Sequence, residues 1–174
     1  MKATKDLTII GLYTALLIGG QIALSAVSGV EIVTLLFTAY VFYFGVLRGC
    51  VLATVFSILR CLVFGFFPNV LILYLVYYNL FALAIGCLGK AMKRSLSVKK
   101  LLIVTLCVVV LTVVFTLLDN VITPAFYGYT LESRKAYYVA SLTAVIPQVI
   151  CSAVTVLLLF PPLVKIFDKL NLAK

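Results

Sequence analysis

The 174-residue chain is 65% hydrophobic and 11% charged, with a mean hydropathy of +1.27. A water-soluble domain of this size has too small an interior to hide so much apolar side chain, so the composition excludes it and makes lipid the solvent. The net charge of +9 does not mark a nucleic-acid binder, because nearly all the basic residues fall in the gaps between apolar runs, where topology signals belong.

The first apolar run predicts a helix near 7–28. Lys2 and Lys5 before it resemble the start of a signal peptide, but no cleavage-like site follows, so it reads as a retained helix. Gly29 separates it from a second run at 31–47, which at 16–17 residues is near the lower limit for a span. The Arg48–Gly49 pair then precedes a third helix at 50–66, and Pro68–Asn69 precedes a fourth at 70–89. After a basic cluster at Lys90, Lys93, Arg94, Lys99 and Lys100 come helices near 98–120 and 136–160. Pro161–Pro162 is expected to end the last of these and leave a short amphipathic tail on the membrane surface, with Leu163, Ile166, Phe167 and Leu170 opposite Lys165, Asp168 and Lys169. Charge parity supports the count. The N-terminal, 90–100 and C-terminal basic clusters share one side only if an even number of helices separates each from the next, which predicts an all-α bundle of six transmembrane helices in a single domain, 1–174, with both termini cytoplasmic.

Five cysteines lie singly in apolar runs, with no CxxC pair and no histidine in the chain, so neither a disulfide framework nor a metal site is indicated. The GxxxxGK[ST], GxSxG and HExxH motifs are missing as well. A non-catalytic protein with no permanently bound cofactor is therefore expected.

The polar features away from the basic clusters gather at the opposite, external end. Glu31, Arg60 and Asp119 are ionisable at or near membrane depth, where each costs on the order of 2.5–3.5 kcal/mol at the bilayer centre unless it is served by water or a partner. Snorkelling to the interface is one reading of them. The other is a ligand cavity, with Arg60 paired to one of the acids. Phe64, Phe66, Phe67, Tyr74, Tyr77, Tyr78, Tyr127, Tyr129, Tyr137 and Tyr138 exceed what an interfacial belt explains, since the cytoplasmic side carries far fewer aromatics. They suggest flat apolar walls with hydroxyl tips. Asn69 and Asn120 add amides at that end, and Asn79 and Gln148 lie deeper, Gln148 just after the helix-loosening Pro147. Interhelical hydrogen bonding competes with ligand binding as the role of these two. On the first helix, Gly11, Ala15, Gly19 and Ala23 repeat every four residues as a smooth face for close approach of another helix; ordinary internal packing is the competing reading. Ala136, Ala140 and Ala144 repeat the pattern on the sixth.

Six short helices, about 19 kDa, cytoplasmic basic clusters and the Gly11–Ala15–Gly19 face together resemble the substrate-binding S components of energy-coupling factor (ECF-type) ABC transporters, the vitamin importers of prokaryotes. The resemblance implies a plasma-membrane protein that captures a vitamin externally. It further implies docking through the first helix on a coupling transmembrane subunit driven by two ATPase subunits, and toppling in the bilayer. The missing histidine departs from the nickel and cobalt members, and the missing tryptophan from the thiamine members. The stretch Val30–Leu36, with Glu31 and Thr34, is similar to cobalamin-type members, which makes cobalamin the first candidate; pantothenate, pyridoxine, folate and riboflavin stay open. Two rivals belong to other classes: a stand-alone proton-coupled transporter using Glu31 or Asp119, and a structural subunit that binds no ligand.

Overall fold

The computed structural model describes residues 2–26, 32–93 and 95–169. They form six α-helices and no strand: α1 (Lys2–Leu24), α2 (Val33–Phe44), α3 (Val46–Phe64), α4 (Pro68–Ala91), α5 (Val98–Phe126) and α6 (Leu131–Lys169). Five of them are long and apolar enough to cross a membrane, and α2 is a shorter apolar helix. The chain is a multi-pass membrane bundle.

α2 departs most from expectation. It has 12 residues rather than the 31–47 run, and all 12 are buried. A helix that is apolar all round finds its lowest free energy surrounded by other helices, and α2 packs on α1, α3, α4 and α6. At about 18 Å it is too short to span the hydrocarbon core. It stops at Gly45, whose φ of 89° suits glycine, and Val46 opens α3 at once. Arg48–Gly49 is therefore not the break. Arg48 sits in the first turn of α3 and pairs with Asp6 of α1 at 2.9 Å, while a Cβ on Gly49 would lie 3.0 Å from Val41 across the hairpin.

The other helices run longer than the apolar runs alone predicted. α4 begins with Pro68 in its first turn, where a missing N–H breaks no helical bond, and α5 begins after Ser97, which accepts from the Lys100 backbone N–H. α5 continues past 120 through Pro124, and α6 already starts at Leu131 rather than 136, so only residues 127–130 separate the two helices. Nor does α6 end at Pro161–Pro162. Its buried stripe Ser152, Val156, Phe160, Val164 and Phe167 keeps one face inward across the two prolines. Tyr43 fastens the far end by donating to the Phe167 carbonyl at 2.9 Å. The expected surface tail is thus partly core: Phe167 meets the rings of Tyr13, Tyr43 and Phe44, whereas Ile166 is exposed. Leu170 lies outside the described residues.

Successive helices alternate in direction. Tyr13 of α1 bonds the Leu36 carbonyl of α2, Tyr77 of α4 meets Phe115 of α5, and Thr112 and Asn120 of α5 meet Ser152 and Ser141 of α6. With six alternating helices, the start of α1 and the end of α6 share one end of the bundle. Lys5, Arg48, Lys90, Lys93, Lys99, Lys100, Lys165 and Lys169 gather there, so it is termed the basic end. The opposite, distal end carries the α3–α4 and α5–α6 connections.

Candidate functional site

In the distal half of the bundle, α4 turns Tyr74, Tyr77 and Tyr78 inward at one- and three-residue offsets, continuing the buried face that runs on through Phe81 and Ile85. Their rings interlock with Phe37, Phe56 and Phe115 at centroid separations of 4.8–5.2 Å for the nearest pairs. The three tyrosines form one wall of a cavity of about 190 Å³, closed by Gln21 of α1, Thr34 of α2, Thr112 and Phe115 of α5, and Gln148 of α6. A second cavity of about 260 Å³ lies between α5 and α6, with Thr116, Asp119, Tyr137, Ser141, Ala140 and Ala144 in its lining. Phe115 and Gln148 line both, so the two cavities adjoin at this pair; the first is termed the inner lobe and the second the outer.

Among the described residues the inner lobe is lined by hydroxyls, amides and rings, without a charged group. Gln21 donates from Nε2 to the Tyr74 hydroxyl at 3.5 Å, and its Oε1 is buried without a donor. Thr112 donates to the Val108 carbonyl at 3.0 Å and lies 3.4 Å from Ser152 Oγ. In the outer lobe Asp119 accepts from Thr123 through Oδ1 and from Tyr137 through Oδ2, both at 2.6 Å. Asn69 continues this chain, donating to Thr123 at 3.2 Å and accepting from Tyr127 at 3.3 Å. Tyr129 packs against the rings of Tyr127 and Tyr137. This network ties the start of α4 to the α5–α6 hairpin and orients the carboxylate toward the cavity.

Of the residues expected at a site, Thr34, Tyr74, Tyr77, Tyr78 and Gln148 line the inner lobe, and Asp119, Tyr137 and Gln148 the outer. Asn69, Tyr127 and Tyr129 support Asp119 from outside it. Asn120 is buried against Ser141, to which it donates at 2.8 Å, with its Oδ1 left over. Four positions fall elsewhere. Phe66 and Phe67 are 66% and 51% exposed and line neither lobe. Asn79 donates to the Leu75 carbonyl of its own helix at 2.8 Å and lines neither lobe. It sits one residue past the inward-facing pair Tyr77–Tyr78, a helical rotation of about 100° away from the cavity. Arg60 pairs with no acid: among the described residues the one ion pair is Arg48–Asp6. Its guanidinium carbon lies 4.3 Å from the centre of the Tyr74 ring and 5.2 Å from that of Phe64, a cation–π arrangement behind the tyrosine wall. Glu31 lies outside the described residues.

Gln21, Thr112, Phe115, Thr116 and Ser141 were not anticipated. Two signals point to them. Thr105, Thr112, Thr116, Asp119 and Thr123 recur at three-, four- and seven-residue steps along α5, marking one polar helical face. Gln21 extends the inward positions Tyr13 and Leu17 of α1 by one more turn.

Gly11, Ala15, Gly19 and Ala23 are all exposed, and a Cβ on Gly11 or Gly19 would meet nothing within 4 Å. α1 packs inward through Ile10, Tyr13, Thr14 and Leu17 instead. Internal packing therefore does not account for the small-residue face. Ala136 is exposed as well, and Ala140 and Ala144 open onto the outer lobe.

No protein-family model, curated protein or solved structure matches the chain.

Proposed function

We propose that this chain is the vitamin-binding S component of an ECF-type ABC importer in a prokaryotic plasma membrane. The observation that carries the reading is the two-lobed cavity, polar and aromatic, set in the distal half of a bundle whose termini and basic residues gather at the other end. By the positive-inside rule the basic end is cytoplasmic, which puts the cavity toward the exterior, where a nutrient is captured. The described walls hold aromatic rings, hydroxyls and amides, a lining suited to holding a small organic molecule. ATP hydrolysis belongs to two partner subunits. The exposed Gly11–Ala15–Gly19–Ala23 face of α1 supplies the docking surface for the coupling transmembrane subunit, since small side chains let helix backbones approach closely in lipid.

Lobes of about 190 and 260 Å³ favour a compact vitamin of pyridoxine or pantothenate size over folate or riboflavin, and over cobalamin most of all, whose corrin ring alone exceeds them. The test is purification from cells followed by mass spectrometry of small molecules and proteins retained. A vitamin together with a coupling subunit and ATPases upholds the reading; a chain that retains neither, and binds no vitamin when titrated, refutes it. Asp119, a carboxylate in a cavity at membrane depth, favours one rival, the stand-alone proton-coupled transporter. That rival requires uptake into proteoliposomes containing this chain alone, abolished by an uncoupler.

A further inference from the structure

Resting on that reading, we infer that the ligand carries no carboxylate or phosphate, and that it presents hydrogen-bond donors, an amine, ring N–H or hydroxyl, to Asp119 at the outer lobe and to Gln21 at the inner one. Three independent features converge on this class. Among the described residues, neither lobe has a lysine or arginine in its lining. The basic residues with described side chains lie at the basic end or in the α5–α6 region at Arg134 and Lys135, except Arg60, which lies behind Tyr74 and lines neither lobe. An anionic ligand would lose its hydration with no cation in the described lining to replace it.

The second feature is Asp119 itself. Its two oxygens each accept one hydroxyl hydrogen bond, from Thr123 and Tyr137, and a carboxylate has room for about four. No cation pairs with it among the described residues. The spare acceptor capacity faces a cavity that also offers Ser141 and Gln148, so a donor or a positive charge on the ligand gains where a negative one is repelled. The third is Gln21, whose Oε1 is buried at the inner lobe with no donor among the described residues. A buried acceptor left unpaired is unfavourable, and a ligand hydroxyl or N–H relieves it. Tyr74, Tyr77 and Phe115 between these two ends provide flat walls, so the body of such a ligand is a ring.

The experiment compares two matched pairs that differ only in the 4-substituent of one ring, on the full-length chain in nanodiscs: pyridoxine against 4-pyridoxic acid, and pyridoxamine against 4-pyridoxic acid. Dissociation constants are read by calorimetry, alongside the formal charge of whatever small molecule copurifies. The expected result is tighter binding of the uncharged or amine-bearing member by tenfold or more, and a copurifying ligand without an acidic group. In Asp119→Asn the discrimination should shrink by a similar factor, with circular dichroism confirming that the helices are intact. Binding of the acid members as tight as that of their partners, or a copurified carboxylate or phosphate ester, overturns the ligand class while leaving the importer reading in place. Asp119→Asn discriminating as strongly as the unaltered chain removes Asp119 as the cause and overturns the inference equally. No binding of either pair together with no copurifying ligand overturns both.

Discussion

At the scale of single residues, the site and the scaffold respond to different substitutions. Tyr77 is buried against Phe115 and faces the inner lobe, so Tyr77→Ala should weaken ligand binding by about 1–3 kcal/mol, roughly five- to 150-fold in dissociation constant. Asn79→Ala and Phe66→Ala, one bonded to its own helix and the other turned outward, should leave that constant within about twofold, as should Lys93→Ala at the basic end. Titration of the four variants with the copurifying vitamin separates the two groups, and equal losses in all would remove the two-lobed cavity as the site. Gly89 tests the scaffold. A Cβ there would lie 2.5 Å from the Phe42 carbonyl oxygen, a backbone atom with little room to retreat. Gly89→Ala should therefore destabilise the bundle by about 1–3 kcal/mol in thermal melts, whereas Gly11→Ala, whose Cβ meets nothing, should not. The contrast among these glycines was not legible in the sequence: both sit in apolar helices, and only the close passage of α4 over the α2–α3 hairpin distinguishes them.

The helices themselves were legible where their length comes from an uninterrupted apolar run, because a lipid-length stretch has few alternatives to a helix with all its backbone groups bonded. Ends were less so. Arg48 looked like a loop residue because charge is expensive in lipid, yet Asp6 reaches it from α1 and lets it stay in a helical turn. Pro161–Pro162 looked like a stop, but proline forbids only the bonds its missing N–H would make. Packing of Val164 and Phe167 on the same face as Phe160 outweighs that loss. The tyrosine wall is legible in the crowding of aromatics, whereas Gln21 and Thr112 show only through helical periodicity, Gln21 with Leu17 and Thr112 with Thr116 and Asp119. For α1, the exposed small-residue face makes a prediction at this scale. Ala15→Trp or Gly19→Trp should abolish transport in cells with vitamin binding by the purified chain unchanged, since both positions are exposed on the outer face of α1. Loss of binding in parallel with transport would mean that the face belongs to the fold after all.

For the whole molecule, alternation of six helices puts Lys5, Lys100 and Lys169 at one end and Tyr129 at the other. Reporter fusions after Lys100 and at the C-terminus should both read as cytoplasmic, and an insertion near Tyr129 as external; any other pattern removes the orientation proposed for the cavity. Charge parity gives the same count of six helices, although one of the six is too short to span. α2 has consequences for how the sequence can drift. Lipid-facing helices such as α6, with Val139, Leu142, Ile146 and Ile150 exposed, have positions where one apolar side chain serves as well as another. All 12 positions of α2 meet a neighbour, and in a close-packed interior a change of even a methylene is felt. A saturation mutagenesis scan should accordingly show tolerance rising and falling every three to four residues along α1, α5 and α6, and a flat, low profile across Val33–Phe44. The least hospitable stretch of the chain to variation is then its most featureless apolar one.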